Sequence, residues 1–565
     1  MASGDLGTIG DEQAMADKRD LDAKKRAQFE RLTRFGEHMK QRLSCGETLP
    51  LWQVANHPAY PVIVDILRQD GLTSEDLDKP LVGIANSYNE VASAHLHLRT
   101  LADVAKQGIR EAGAVPMEFG TGAPCDAFGN ANPGYRYILP MRENIADTVE
   151  LMAQAHHFDG LLLISSCDKI NPAMLMAAAR VNRPAVFLGG GMGHGMCPNV
   201  GLGTALTMQV LSEALGMALF GVGTTFANSP EHRQLAQQSG AALIKLVRLG
   251  LKPSDILTRE AFENAIRVNM AIGGSINSFI HIPAIAHELG ITITAEDFDR
   301  ISDETPYLAS IQPNGPYGLD DLAAVGGIAA VMKVLEPLLH TNVLRVSGRT
   351  LKEELAEVEV NWEARVHPDV LRPLTNPLLP TGGLNLLHGN IAPEGATVRT
   401  GGVPRSMYQF EGPARVWDSE LEALNDISQH KYEAGEVLVV RNEGVVGGPG
   451  MPEQGPIGWT LQAHGMFEKV WLVTDGRYSG NSSGPLIGMV TPEAAVGGPI
   501  NAVRNGDRIR IDLYQKRLDV LLSDETIRAR LADWRAPEPR IKTGYMQRYV
   551  KMVEPALKGA VLRRL

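Results

Sequence analysis

Gly160-Leu161-Leu162-Leu163-Ile164-Ser165-Ser166-Cys167-Asp168-Lys169-Ile170-Asn171-Pro172-Ala173-Met174-Leu175-Met176-Ala177-Ala178-Ala179-Arg180 runs from a short apolar segment, across a polar turn, into a helix-forming segment. The apolar segment reads as a buried strand and the Ala/Met/Leu-rich segment as a helix. Between them, Cys167-Asp168-Lys169 sets a thiolate, a carboxylate and an amine side by side. In open α/β sheets ligands bind at the loops leaving the carboxyl ends of strands, which is where this turn falls. Thiolates suit an iron–sulfur cluster and carboxylates a hard divalent ion, so Cys167 and Asp168 are candidate ligands of two different metals. Taken alone, such a tripeptide is better read as a buried structural cysteine beside an ordinary Asp-Lys pair.

A second Cys-Asp pair shifts that balance. Cys125-Asp126 lies in the glycine-rich stretch Gly122-Ala123-Pro124-Cys125-Asp126-Ala127-Phe128-Gly129-Asn130, which reads as a loop. Cys197 follows another apolar run, Pro184-Ala185-Val186-Phe187-Leu188, in the glycine-rich Gly189-Gly190-Gly191-Met192-Gly193-His194-Gly195-Met196-Cys197-Pro198. Cys45 stands in a polar stretch without such company and reads as a free thiol. Clusters usually take four protein ligands, so one held by Cys125, Cys167 and Cys197 would keep an iron open to polarise a substrate oxygen.

Between Pro80 and about Leu339, strand-like runs such as Leu81-Val82-Gly83-Ile84-Ala85 alternate with helical patterns such as Leu98 to Ala112, which predicts a doubly wound α/β domain. Ser254 to Val268 reads as an amphipathic helix with a core-facing stripe. Proline and glycine crowd into Leu371 to Gly383, a linker or crossing segment. Beyond it the pattern changes to short β runs: Val437-Leu438-Val439-Val440, Val470-Trp471-Leu472-Val473 and Arg508-Ile509-Arg510-Ile511-Asp512. The expected organisation is a polar N-terminal arm over 1–42, an α/β domain over 43–375 carrying the cluster and metal ligands, and a mostly β domain over 376–565.

At 565 residues the chain exceeds what one hydrophobic core usually supports, consistent with more than one domain. A net charge of -11 argues against a nucleic-acid partner, which would need clustered Lys and Arg. No apolar run approaches the roughly 18 residues of a membrane span, and Met1-Ala2-Ser3-Gly4-Asp5 opens no signal pattern. Only four cysteines in this length predict a reducing compartment, most simply the cytoplasm.

Several blocks carry a resemblance. They include Gly83-Ile84-Ala85-Asn86-Ser87-Tyr88-Asn89-Glu90, Arg142 to Glu150, Cys167-Asp168-Lys169, Ala271 to Asn277, Gly447 to Glu453, Thr474-Asp475-Gly476-Arg477-Tyr478-Ser479-Gly480 and Thr491 to Pro499. In this order, from about Pro80 to Trp534, they resemble the family of dihydroxy-acid, sugar-acid and 6-phosphogluconate dehydratases. The resemblance implies a barrel-like C-terminal domain closing on the α/β domain, with the active site between them. It implies an iron–sulfur cluster (2Fe-2S or 4Fe-4S) on Cys125, Cys167 and Cys197, and Mg2+ on Asp126, Asp168 and Glu453, with Lys169 at a position the family can carry as a carbamate ligand. Ser479 occupies the position of the proton-abstracting serine. Two departures stand out. The chain reads Ala92-Ser93-Ala94-His95 where the dihydroxy-acid and pentonate branches have Thr-Pro-Cys-Asn, and only a few residues separate Gly191 from Cys197 where family members have several dozen. Ser93-Ala94-His95 with Cys125-Asp126 resembles the 6-phosphogluconate branch.

The chemistry follows from removing water from a polyhydroxy acid: a weakly acidic proton alpha to a carboxylate must be taken and a poor leaving group activated, labour that two Lewis acids can divide. Ser479 would take the proton and the product would be a 2-keto-3-deoxy acid. His95 and Asn277 are candidate substrate contacts, and His97 reads as a satisfied helix histidine. The expected substrate is a non-phosphorylated five- or six-carbon aldonate, then 6-phosphogluconate, then 2,3-dihydroxyisovalerate; dihydroxy-acid dehydration is disfavoured by Ala94 in place of a cysteine. The other alternative is a catalytically silent paralogue without the cluster. The expected assembly is a homodimer or homotetramer, with no nucleic-acid or membrane partner. Single serine substitutions at Cys125, Cys167 and Cys197 should bleach visible iron–sulfur absorption of anaerobically purified protein, and Cys45→Ser should spare it; full absorption in Cys197→Ser would remove that residue from the ligand set.

Overall fold

Apolar runs at three expected places form the parallel strands β1 (Leu81–Asn86), β3 (Gly160–Ser165) and β4 (Ala185–Gly189), and a fourth, β2 (Val115–Gly120), which the sequence reading did not single out, joins them in the spatial order β2-β1-β3-β4. The structure is a computed structural model, in which residues 26, 69, 71–73, 75, 76, 79–129, 133–193 and 200–564 are described. The expected arm over 1–42 (apart from Arg26), Cys45 and Cys197 lie outside these residues. β1 and β3 are buried along their whole length, as strands covered on both faces must be, and this is why they read as unbroken apolar runs. The strand order reverses between β1 and β3, so the loops leaving them diverge and open a crevice at their carboxyl ends.

Helix Leu98–Glu111 packs against Pro230–Leu249, and Ile170–Val181 against Met141–Ala155 and β3. The first pair is held at backbone contact: a Cβ on Gly108 would stand 2.0 Å from the Gln237 carbonyl oxygen, and one on Gly240 would stand 2.5 Å from that of Ala105. One expectation is corrected here. The single amphipathic helix over Ser254 to Val268 is two helices, Pro253–Ile256 and Arg259–Ile272, because the backbone leaves helical geometry at Leu257 and the Thr258 side chain caps the second by accepting from Ala261 N–H. The second helix is buried all round from Ala261 to Ile272, not on one stripe, since neighbouring helices cover it.

The Pro/Gly-rich crossing is laid on the α/β core through backbone bonds such as Gly382 N–H to Ser302 O (2.8 Å) and Gly383 N–H to Met270 O (2.9 Å). It leads into β5 (Asn385–Gly389), β6 (Ala392–Val398), β7 (Gln409–Trp417), β8 (Val437–Val440), β9 (Trp471–Thr474), β10 (Leu486–Thr491), β11 (Arg508–Asp512) and β12 (Arg517–Val520). These close into an eight-stranded barrel in the order β10-β6-β5-β12-β11-β7-β8-β9. Alternation of side chains along β8 and β9 divides their work. Val437, Val439, Trp471 and Val473 fill the barrel interior, whereas Leu438, Val440 and Leu472 join the core shared with the α/β part. The two parts therefore share one apolar layer on the β8–β9 side of the barrel. No helix among the described residues is long and apolar enough to cross a membrane.

Gly240→Ala forces the two helices apart or the backbone to shift, and should lower unfolding stability by about 1–3 kcal/mol. Chemical denaturation measures this; an unchanged midpoint would mean the helices do not need their close approach.

Candidate functional site

Three strands of the parallel sheet, β1, β2 and β3, present candidate side chains at their carboxyl ends. After β1, the Asn89 side-chain oxygen pairs with His95 Nδ1 at 3.2 Å and accepts Val91 N–H at 3.1 Å, fixing a turn that buries His95. After β2 come Cys125 and Asp126 at the start of a short helix, Asp126–Gly129. After β3, the Cys167 carbonyl accepts the N–H groups of Ile170 (3.2 Å) and Asn171 (3.1 Å) while Ser165 Oγ donates to Asn171 Oδ1 at 2.7 Å, so the turn is locked onto the following helix. Lys169 is the residue at its entrance, and its side chain is fully buried.

Lys169 Nζ lies 2.8 Å from Asp126 Oδ2, 3.1 Å from Asp168 Oδ2 and 3.5 Å from Glu453 Oε1. The three carboxylates present oxygens within 4.8 Å of one another. Glu453 is brought from the barrel, on the loop after β8, and Arg477 from the loop after β9. Arg477 Nη1 pairs with Glu453 and Nε donates to Met451 O at 2.7 Å, while Gln454 N–H donates to Arg477 O at 2.9 Å. Asn277 Nδ2 adds a bond to Glu453 Oε1 at 3.1 Å. Behind these loops two buried carboxylates gather backbone N–H groups. Asp475 takes those of Asn442 (3.0 Å), Glu443 (2.9 Å) and Ala494 (2.8 Å), and Glu493 takes those of Val446 (3.0 Å) and Gly447 (2.8 Å). Burial pushes the Asp475 carboxyl up to about 6 and that of Glu493 to about 8.

The acids of the central cluster are held apart in pKa. Burial, and then the Asp168 charge, push Asp126 well above the usual carboxylate range; burial works against Asp168 too, but the Lys169 ammonium and a hydrogen bond from Asp126 hold it low. The two environments thus favour the protonated form at Asp126 and the ionised form at Asp168. Burial and the Arg477 charge oppose a charged Lys169, yet the surrounding carboxylates raise its pKa. Cys167 is buried and Cys125 half-buried; their thiols share a hydrogen bond, which together with burial pushes the Cys167 thiol well up.

Asp126 Oδ1, His95 Nε2, Asn277 Oδ1, Arg477 Nη2 and His281 Nε2 are buried without a hydrogen-bond partner among the described residues, and the Tyr135 hydroxyl reaches Glu453. Buried polar atoms are normally paired, so this concentration around one acid centre is room for a ligand. Three convergent carboxylates with an orphaned oxygen fit a hard divalent ion. Two adjacent thiols fit part of a cluster's ligand set.

The structure thus brings together Cys125, Cys167, Asp126, Asp168, Lys169, Glu453, Asn277 and, beside Cys125, His95. Ser479 is half-buried and stands one step away: its Oγ accepts Asn481 N–H at 3.3 Å, and the next residue, Gly480, lies against Thr204 and Ser275. Thr204 Oγ1 in turn accepts from Asn277 Nδ2 at 2.8 Å. His97 pairs with Gly190 O at 2.7 Å, a satisfied role. Sequence reasoning missed Arg477 and Tyr135. Arg477 sat inside the Thr474–Gly480 block, whereas Tyr135 had no signal beyond a Gly/Pro-rich setting.

With this geometry in place, comparison with known proteins is decisive. The model described as dihydroxy-acid/6-phosphogluconate dehydratase N-terminal matches residues 79–200 and 192–354, and its C-terminal counterpart matches 369–560. The chain belongs to the dihydroxy-acid/6-phosphogluconate dehydratase family. Similar members include the dihydroxy-acid dehydratases of Methanococcus aeolicus (42% identical, covering 88% of this chain and 97% of the relative) and Pyrococcus furiosus (44%, 88% and 97%). That of Caldanaerobacter subterraneus subsp. tengcongensis is 43% identical over 87% of this chain and 95% of its own length. Like its family, the chain is a dehydratase, a hydro-lyase.

Because burial and the Asp168 charge raise the Asp126 pKa, a cation competes with protons there, and Mg2+ affinity should rise as pH rises through the titration of the Asp126–Asp168 pair. Glu453→Gln should weaken Mg2+ binding roughly tenfold or more at fixed pH. Isothermal titration of Mg2+ across pH measures both; pH-independent affinity equal in the two proteins would place the ion elsewhere.

Proposed function

We propose that this dehydratase removes water from a 2,3-dihydroxy acid to give a 2-keto acid, in a site completed by Glu453 and Ser479 from the barrel. The observation that carries this reading is identity of 42–44% to dihydroxy-acid dehydratases over nearly their whole length, joined to a carboxylate centre at the crevice of the sheet. It reverses the order of substrates expected from sequence. Ser93-Ala94-His95 and Cys125, which resemble the 6-phosphogluconate branch and on which dihydroxy-acid dehydration was disfavoured, bear on where a thiol sits and say nothing about the substrate's carbon skeleton. Aldonates and 6-phosphogluconate become the second and third candidates.

In this reading Asp126, Asp168 and Glu453 hold Mg2+, and Cys125, Cys167 and Cys197 hold an iron–sulfur cluster. When bound, the two supply Lewis acidity toward the substrate's oxygens. The Lys169 amine occupies the middle of the carboxylate set and must lose its charge or move for an ion to enter; conversion to a carbamate does the first and adds an oxygen ligand. Ser479 Oγ takes the C2 proton, and the Asn481 N–H that donates to it favours negative charge on that oxygen. Asn277 and Arg477 orient Glu453. Loss of the C3 hydroxyl leaves an enol, which becomes the 2-keto acid, so one dihydroxy acid yields one keto acid and one water. The low cysteine count supports a cytoplasmic setting, and a homodimer or homotetramer remains part of the proposal.

The test is a panel of 2,3-dihydroxyisovalerate, five- and six-carbon aldonates and 6-phosphogluconate, assayed for 2-keto acid with cluster-reconstituted, Mg2+-loaded protein and Ser479→Ala as control. Preferred turnover of the branched dihydroxy acid, abolished in Ser479→Ala, is the expected result. Exclusive turnover of an aldonate would restore the sequence-based order, and no turnover by cluster-loaded protein would favour a silent paralogue.

A further inference from the structure

Arg399 directly follows β6 and is 4% exposed. All five of its N–H donors are taken by backbone carbonyls. Nε donates to Gly274 O at 2.9 Å, Nη2 to Gly274 O at 2.5 Å and Leu202 O at 3.1 Å, and Nη1 to Gly480 O at 2.8 Å and Ser482 O at 3.0 Å. Among the described residues no carboxylate pairs with this guanidinium. The titratable side chain within its electrostatic reach is Tyr307, whose hydroxyl burial pushes up to about 12 and which is therefore neutral at pH 7. Burial pushes the guanidinium down only to about 10, so it keeps its charge. A buried charge without a counter-charge is costly, and here carbonyl dipoles alone offset the cost. Pinning a loop needs donors, not a full charge; a full charge asks for an anion, permanent or transient.

The Gly480 carbonyl leads to where that anion forms. Gly480 C=O and Asn481 N–H are the two ends of one trans peptide unit. Arg399 Nη1 binds the oxygen end, and the N–H end donates to Ser479 Oγ at 3.3 Å. A trans peptide sets C=O and N–H antiparallel, so a cation at the oxygen draws electron density toward itself and makes the N–H a stronger donor. The unit is also held against turning. Ser482 N–H donates to Ser479 O at 2.9 Å, and a Cβ on Gly480 would stand 2.4 Å from Thr204 N. The remaining carbonyls, of Gly274 and Leu202, lie just before Asn277 and the helix starting at Thr204, so one guanidinium ties the Ser479 loop of the barrel to the α/β side of the crevice. A serine hydroxyl is a weak base until its oxygen carries negative charge, and this relay stabilises that charge.

We propose that Arg399 is a positioning residue for Ser479: it fixes and polarises the Gly480–Asn481 peptide, whose N–H then stabilises negative charge on Ser479 Oγ. The inference rests on the reading that Ser479 takes the C2 proton.

Arg399→Met and Arg399→Gln are neutral, and Arg399→Lys keeps the charge. Gln also keeps two donors, so it carries the test where Met does not fold. Steady-state kinetics on 2,3-dihydroxyisovalerate and on gluconate, with cluster-reconstituted, Mg2+-loaded protein, separate kcat from KM. The neutral variants should lower kcat about 10- to 100-fold, less than the loss of a donor that itself touches the charge, with KM within about threefold of wild type. Arg399→Lys should return kcat to within about threefold of wild type. A folded neutral variant with wild-type kcat, or one whose KM rises as far as its kcat falls, would overturn the proposal, as would Arg399→Lys no better than the neutral variants. Ser479→Ala that still turns over either acid, or wild-type protein that turns over neither, would overturn the base assignment and this proposal with it. An inactive Ser479→Ala beside Arg399→Gln of wild-type kcat would overturn this proposal alone.

Discussion

A buried lysine held by three carboxylates is the constraint around which this molecule is built. Lys169 sits at the carboxyl end of β3, Asp168 beside it, Asp126 comes from the loop after β2, and Glu453 comes from the barrel. In a dry interior an unpaired charge costs about 3–5 kcal/mol, so none of these groups can be withdrawn without penalty to the others. The ion pairs therefore lock the docking of barrel on sheet as effectively as the apolar layer through Leu438, Val440 and Leu472 does. The cluster also carries more carboxylates than cations, which raises the Asp126 pKa and suits the centre to a divalent ion.

The barrel contributes precision through a second set of buried acids. Among the described residues Asp475 and Glu493 pair with no side-chain cation; they take backbone N–H groups from the loops that present Glu453 and Arg477. Such bonds define the path of loops that are too glycine-rich to define themselves. Arg477 then reaches back to Glu453 and to Met451 O, so the two loops are tied to each other as well as to the layer beneath. A site assembled this way is rigid although almost all of its residues lie on loops.

Legibility in the sequence tracked the range of the interactions involved. The strand Gly160 to Ser165, the turn Cys167-Asp168-Lys169 and the helix after it depend on local propensity and short hydrogen bonds, and they were readable from the run of residue types. The amphipathic pattern over Ser254 to Val268 misled, because a cap at Thr258 and helices covering every side of Arg259–Ile272 override a local stripe. Arg477 was passed over because an arginine in a glycine-rich turn looks solvent-facing until a buried glutamate from another loop is set against it. Tyr135 was invisible for the same reason in stronger form, since its hydroxyl meets Glu453 only once the barrel docks on the sheet.

The sequence by itself determined the α/β and β halves, the placing of candidate thiol and carboxylate side chains at strand ends, and, through the ordered blocks, the family. These follow from periodicity, from turn chemistry and from side-chain types whose metal preferences are intrinsic. Only the tertiary structure decided that the Glu453 loop closes over Asp126 and Lys169, that Asn277 and Arg477 aim Glu453, and that buried donors are left over beside it. Those outcomes depend on barrel closure and on domain docking, which bring residues from distant parts of the chain within about 3 Å of one another, the hydrogen-bond distance at which desolvated charges must be paired.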